Sequence, residues 1–168
     1  MSHYYCPKPK NERQSGFTLI ELTMALAVGS LIMTAAAGTL FQVWNSNLRN
    51  TAHMMAIKQI ENALHFLTRD VQMAQTVQTA GLPPDTVLRL SWVSWDGQND
   101  EVDYTWSSAN HTLTRTGSQD GVAQVVAYSV TSAPSFSFTD PTVTADLTCT
   151  VQGISEERLV QIARATGS

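Results

Sequence analysis

GFTLIELTMALAVGSLIMTAAAGTL, residues 16–40, is the stretch that decides how this chain is read. From Phe17 to Leu40 its 24 residues carry one charge, Glu21, and the next charge along the chain is Arg49. The uncharged run from Leu22 to Leu48 is 27 residues long. A helix needs roughly 20 such residues to cross a hydrocarbon core about 30 Å thick, so the run predicts a membrane-spanning helix and argues against a purely cytosolic domain. The preceding residues, MSHYYCPKPKNERQSG, hold Lys8, Lys10 and Arg13 against Glu12, with Pro7 and Pro9 opposing helix. The positive-inside rule puts this leader in the cytoplasm and everything after the span outside. A secretory signal has an apolar region of roughly 7–15 residues and then a small-residue cleavage site; this run is longer and ends without one. A plain uncleaved anchor leaves Glu21 unexplained, because a carboxylate near the bilayer centre costs roughly 2.5–3.5 kcal/mol on the lenient scale.

The residues Gly16-Phe17-Thr18-Leu19-Ile20-Glu21, behind a basic leader, closely resemble the class III signal of type IV prepilins and pseudopilins. In that family the leader ends in Gly and the apolar helix carries Glu at its fifth position. The resemblance implies that a prepilin peptidase cuts between Gly16 and Phe17 and that the new Phe17 amine is methylated. It also implies a role for Glu21 in subunit assembly, pairing with the amine of a neighbouring subunit and so neutralising two charges that are costly to leave unpaired in lipid. The competing local reading gives Glu21 to its own helix N-terminus, worth roughly 0.3–1 kcal/mol. Loss of the leader removes three bases and one acid and takes the formal charge from −4 to −6. It also separates the two cysteines: Cys6 leaves with the leader, Cys149 remains as the mature chain's sole thiol, and the C-terminal disulfide loop of major pilins is missing. Pilins of this kind lose helicity in fibres between a Gly and a Pro. This chain has Gly29 and Gly38 there and no Pro, which favours close helix packing over a melting segment.

Beyond the span, Ile57, Ile60, Leu64, Leu67, Val71 and Ala74 recur at helical spacing, a stripe that needs covering. Lys58, Glu61, Asn62, Arg69, Asp70 and Gln72 lie between them and suit a solvated face. Ala80-Gly81 followed by Pro83-Pro84 is a stop signal, so the helix is expected to run from about Phe17 to Gln78. The period then becomes 2. Leu88, Leu90 and Trp92, then Val102, Tyr104 and Trp106, then the alternating run Val143 to Val151 predict half-buried antiparallel strands. Shorter strands are expected at Leu113, Val125–Val130 and Phe136–Phe138, with turns at Asp96-Gly97, Asp120-Gly121 and Asp140-Pro141.

The expected fold class is therefore α+β: one long N-terminal helix packed on a small antiparallel β-sheet head, similar to type IV pilins. The divisions are 1–16 leader, 17–48 transmembrane or fibre-core helix, 49–80 amphipathic helix of the head, and 81–168 extracytoplasmic β-sheet domain. Leu67-Thr-Arg-Asp70, Val102-Asp-Tyr-Thr-Trp106 and Leu113-Thr-Arg115 resemble minor pseudopilins of the J type. Retained Glu21 sets the chain apart from the pseudopilin that caps the tip.

No catalytic constellation is visible, so an enzyme is not expected. His53 and His65 are twelve residues apart on the helix and His111 lies in a loop, with no HExxH, CxxC or GxSxG spacing. Cys149 sits at an apolar strand position and reads as a buried small hydrophobe. The acidic run Asp96 to Asp103 misses the EF-hand spacing and reads as a solvated hairpin, so no metal or other cofactor is expected. Trp92, Trp95, Tyr104 and Trp106 read as core or subunit contacts; with this net charge, direct nucleic-acid binding is disfavoured. The resemblance implies a minor pilin or pseudopilin with partners in other pilin or pseudopilin subunits, membrane lipid, prepilin peptidase and, indirectly, an assembly platform protein and ATPase. It implies residence first in the cytoplasmic (inner) membrane and then in a pilus or pseudopilus serving secretion, DNA uptake (competence), motility or adhesion. The alternative is a single-pass anchored extracytoplasmic binding or sensing domain that never assembles.

Overall fold

The computed structural model describes residues 16–119 and 121–165. The basic leader with Cys6, and Asp120 of an expected turn, lie outside the described residues. The chain divides into two compact units, Met1–Asn45 and Ser46–Ser168. One helix, α1 (Leu19–Met73), contributes 19–45 to the first unit and 46–73 to the second.

In the first unit every described residue is exposed, including Phe17, Leu19, Leu31, Ile32 and Phe41. The helix is apolar all round and reaches a mean hydropathy of 1.8 over an 18-residue window, long and apolar enough to cross a membrane. Its hydroxyls are turned onto its own backbone. Thr23 donates to the carbonyl of Ile20, Ser30 to that of Ala27, Thr34 to that of Ser30 and Thr39 to that of Ala36, at 2.8–2.9 Å. Hydroxyls bonded in this way present no unsatisfied donors to hydrocarbon. The helix runs unbroken through Gly29 and Gly38, and a Cβ placed on either would meet nothing within 4 Å.

The second unit is an α+β layer. Its helical part buries Ala52, Ala56, Ile60, Ala63, Leu67, Asp70 and Val71, and Ala74 just past the helix end is buried with them. The buried stripe largely coincides with the one read in the sequence, sharing Ile60, Leu67, Val71 and Ala74; Ile57 and Leu64 are half-buried on one flank, and Ala52, Ala56, Ala63 and Asp70 extend the buried side on the other. The helix ends at Met73, earlier than the expected stop near Gln78. Ala74 N–H still bonds back to Asp70 O at 3.0 Å, but Gln75 N–H turns to Ser91 O at 2.9 Å. The β-branched Thr76 and Val77 then form β1 (Thr76–Gln78), paired antiparallel with the following strand.

The strands are β2 (Thr86–Val93), β3 (Asn99–Ser107), β4 (Thr112–Gly117), β5 (Ala123–Tyr128), β6 (Ser135–Thr139), β7 (Thr142–Val151) and β8 (Ile154–Ala163). They make two antiparallel sheets rather than the single one expected. One has the order β1-β2-β3-β4-β5 and the other β6-β7-β8. The alternation in β7 is strict, with Val143, Ala145, Leu147 and Cys149 fully buried and the residues between them half-buried. β8 follows through a two-residue turn, Gln152-Gly153, with φ of 51° and 81°, both in the left-handed region used by tight hairpins.

Residues 129–131 couple the sheets. β6 covers only the first half of β7, and the second half is met instead by Val130, which bridges Cys149 while Thr150 N–H bonds to Ser129 O at 2.9 Å. Val130 N–H also bonds to His111 O at 2.9 Å, and its carbonyl accepts from Trp106 Nε1 at 3.1 Å. The core lies between the helix stripe and the inner faces of both sheets, built from Ile60, Leu67, Leu88, Leu90, Leu113, Val126 and Leu147 among others.

Candidate functional site

Gly16, Phe17 and Thr18 precede α1 in non-helical backbone, and Phe17 is 87% exposed. The Gly16–Phe17 peptide therefore lies just outside the first turn, where no helical hydrogen bonding protects it. Glu21 sits in that first turn. Its Oε2 accepts from Thr18 N–H at 3.3 Å and from Thr18 Oγ1 at 3.2 Å, while Glu21 N–H donates to Thr18 Oγ1 at 3.3 Å. This is a capping box, with Thr18 at the N-cap and Glu21 three residues on. The resemblance implies the Phe17 amine of a neighbour as the partner of Glu21; within the chain its partner is Thr18, which the sequence analysis does not name. The T-x-x-E spacing, Thr18 to Glu21, is the signal that could have identified it.

All three bonds are long for their type, so the carboxylate is held loosely. An ammonium would bring its own full charge to this carboxylate, where Thr18 brings only neutral donors. The motif thus provides an accessible peptide, a carboxylate poised beside it, and a helix with no apolar partner within its own unit.

The second unit holds a polar cluster that sequence reasoning assigned to solvent. Asp70, expected on the solvated face, is fully buried. Arg115 of β4 grips it through two bonds, Nε to Oδ2 at 2.6 Å and Nη2 to Oδ1 at 3.1 Å, and Tyr104 of β3 donates its hydroxyl to Oδ2 at 2.7 Å. Tyr104 and Arg115 are direct cross-strand neighbours, so one register fixes both donors beneath the helix. Burial and the adjacent Asp70 carboxylate push the Tyr104 hydroxyl far above its ordinary value of 10. The hydrogen bond to Asp70 likewise raises Arg115. With both Asp70 oxygens and the Tyr104 hydroxyl engaged, the cluster fastens helix to sheet.

The other candidates are dispersed. His53 Nδ1 lies 2.6 Å from Glu156 Oε1 of β8, and His65 stacks edge-on to Phe66. Cys149 is buried and its thiol is pushed up to about 11 by desolvation. In the acidic run, Asp103 is bound by Arg89 through two bonds of 2.7 Å, Asp96 accepts from Gln98 N–H at 3.1 Å, and Asp100 turns inward. Among the described residues no three His, Cys, Asp or Glu side chains converge on a point that could hold a metal. Tyr104 is buried, Trp92 and Trp106 pack half-buried against the core, and Trp95 is 97% exposed at the β2–β3 turn, so the four aromatics form no common patch.

A family model described as the prokaryotic N-terminal methylation motif matches residues 12–37. No curated protein and no solved structure matches the chain. The chain therefore carries the class III signal sequence typical of type IV pilins and pseudopilins, ahead of a pilin-like α+β architecture.

Proposed function

We propose that this chain is a minor pilin or pseudopilin, a structural subunit of a type IV pilus-like or type II secretion fibre. The reading is carried by the methylation motif at residues 12–37, which brackets Gly16, Phe17 and Glu21. In this mechanism prepilin peptidase hydrolyses the Gly16–Phe17 peptide and the released Phe17 amine is methylated while remaining cationic. Glu21 lies about one helical turn away, so each subunit carries one positive and one negative group at a similar membrane depth. On entry into a fibre, Glu21 exchanges its long bonds to Thr18 for the Phe17 ammonium of the neighbour. The exposed apolar helix packs against equivalent helices, and the two-sheet head makes lateral contacts. Assembly platform protein and ATPase act on the cytoplasmic side, and the head is outside the cytoplasmic membrane. The chain's work in this scheme is mechanical, with no enzymatic step and no cofactor.

The capping box supports a second reading, a single-pass anchor whose Glu21 serves its own helix and whose head binds or senses without assembling. Processing separates the two. Mass spectrometry of the membrane fraction is expected to find a chain beginning at methylated Phe17; an intact Met1 terminus would refute the pilin reading. Glu21→Ala is expected to be processed normally and to be missing from sheared fibres or pseudopili, and normal incorporation would remove Glu21 from the assembly step.

A further inference from the structure

Asp100 is 8% exposed, and no donor among the described residues reaches its Oδ1; its Oδ2 accepts from Ser94 Oγ at 2.8 Å. A buried carboxylate oxygen without a donor is expensive, and such an acceptor calls for a donor from water, an ion or another molecule. Asp100 alternates with buried Val102 and Tyr104 along β3, which places it on the face toward α1, beyond the helix's last turn. There it lines a cleft of about 270 Å³ with Arg69, Met73, Trp92, Arg115 and Gly117, and a second of about 520 Å³ on its other side. Gly117, opposite Val102, lines the same cleft, and a Cβ there would meet Arg115 Nη1 at an ordinary contact distance of 3.8 Å.

The charges around the cleft decide its ligand. Arg115 is committed to Asp70, and Arg89 is shared by Asp103 and Glu101. That leaves Asp100 without a counterion and Glu101 incompletely neutralised, against one exposed cation, Arg69. Trp92 and Met73 supply an aromatic and an apolar wall suited to the methylene stem behind a positive group. We propose that the cleft receives a primary ammonium or guanidinium on a flexible apolar stem, a lysine or arginine side chain of another polypeptide, with Asp100 Oδ1 as its acceptor. The chain's own formal charge of −4 makes a basic partner a better match than a second copy. The site lies wholly in the second unit and stands independently of the fibre reading.

The test uses the full chain in detergent micelles, with butylammonium and butylguanidinium as probes and butanol as the uncharged control. Both cations are expected to raise the melting temperature saturably, with apparent affinity at least tenfold weaker in Asp100→Asn and in Gly117→Leu, which fills the cleft without changing charge. Asp100→Asn alone is expected to melt at the same temperature or higher, because it removes an uncompensated buried charge. In native membranes, carbodiimide coupling followed by peptide mapping is expected to link Asp100 to a lysine on a different polypeptide. No response to the cations, an equal response in Asp100→Asn, or a melting temperature several degrees lower in that variant would each overturn the site. Coupling only to added spermidine would overturn the polypeptide as the source.

Discussion

Asp70→Ala is the substitution that most directly tests how the head is held together. The side chain is fully buried and accepts three hydrogen bonds, at 2.6, 3.1 and 2.7 Å, from Arg115 and Tyr104. Its loss leaves the Arg115 guanidinium, whose side chain is 17% exposed, without a counterion, and breaking a buried pair in this way costs about 3–5 kcal/mol. The orphaned Tyr104 hydroxyl adds about 1–3 kcal/mol, part of which water entering the small cavity would recover. One term opposes these. Asp70 stands in the last turn of α1, where the helix dipole disfavours an anion, and removing it restores about 0.3–1 kcal/mol. The desolvated guanidinium dominates, and the net loss is about 4 kcal/mol against a typical domain stability of about 5–15 kcal/mol. In urea, with a slope near 2 kcal/mol per M, the midpoint should fall by about 2 M. The assay is equilibrium unfolding of the full chain in micelles, followed by tryptophan fluorescence, to which half-buried Trp92 and Trp106 contribute. A loss below about 1 kcal/mol would refute the reasoning, as would finding that Arg115→Ala costs the same with Asp70 present or absent. The triple replacement Asp70→Leu, Tyr104→Phe, Arg115→Met should be neutral or stabilising, because it removes the desolvation cost together with the pair.

Tyr104 gives the cluster an alkaline limit: with its folded value raised above the unfolded 10, its contribution is complete below pH 10 and declines as pH rises beyond it, and Tyr104→Phe should flatten that decline in a pH series of melting temperatures. Cys149, buried and pushed up to about 11, should resist iodoacetamide at pH 8 in the native protein and react readily in urea; rapid native alkylation would place it at the surface. Ala63→Leu, at a fully buried position of the helix stripe, should cost about 1–3 kcal/mol by overpacking, whereas Ile57→Leu on the half-buried flank should cost less, both read from urea midpoints.

The long apolar helix and the strand parity were legible because each rests on a period that side-chain burial imposes directly. Leu88 and Leu90, Val102 and Tyr104, and the run from Val143 to Cys149 all fall on the buried parity read from the sequence. What escaped were features set by partners far away in the chain. Asp70 has the sequence character of a solvated position, and only Arg115, 45 residues on, makes its burial tolerable. The buried stripe is broader than the one read in the sequence because Ala52, Ala56 and Ala63, weakly hydrophobic by type, are buried along one side of it. β8 was missed because Glu156-Glu157-Arg158 interrupts its alternation and its turn is Gln152-Gly153 rather than an Asn-Gly or Asp-Gly pair. The division into two sheets follows from residues 129–131 taking β6's place beside the second half of β7, a tertiary substitution without a local signature. The methylation motif over residues 12–37 is legible because it is contiguous, while the inward turn of Asp100 depends on the register of β3 beneath α1.

The clasp on Asp70 also sets a timetable for biosynthesis. A ribosome adding about 5–20 residues per second needs several seconds to travel from this aspartate to the arginine that neutralises it. Throughout that interval the newborn helix ends in an acid opposed by its own dipole and in an apolar stripe with nothing laid over it. The final turn can settle only after the β3–β4 hairpin has emerged, so maturation of the head waits on its middle strands, and a ribosome stalled between the two leaves a sticky, half-fastened intermediate for chaperones or proteases to find.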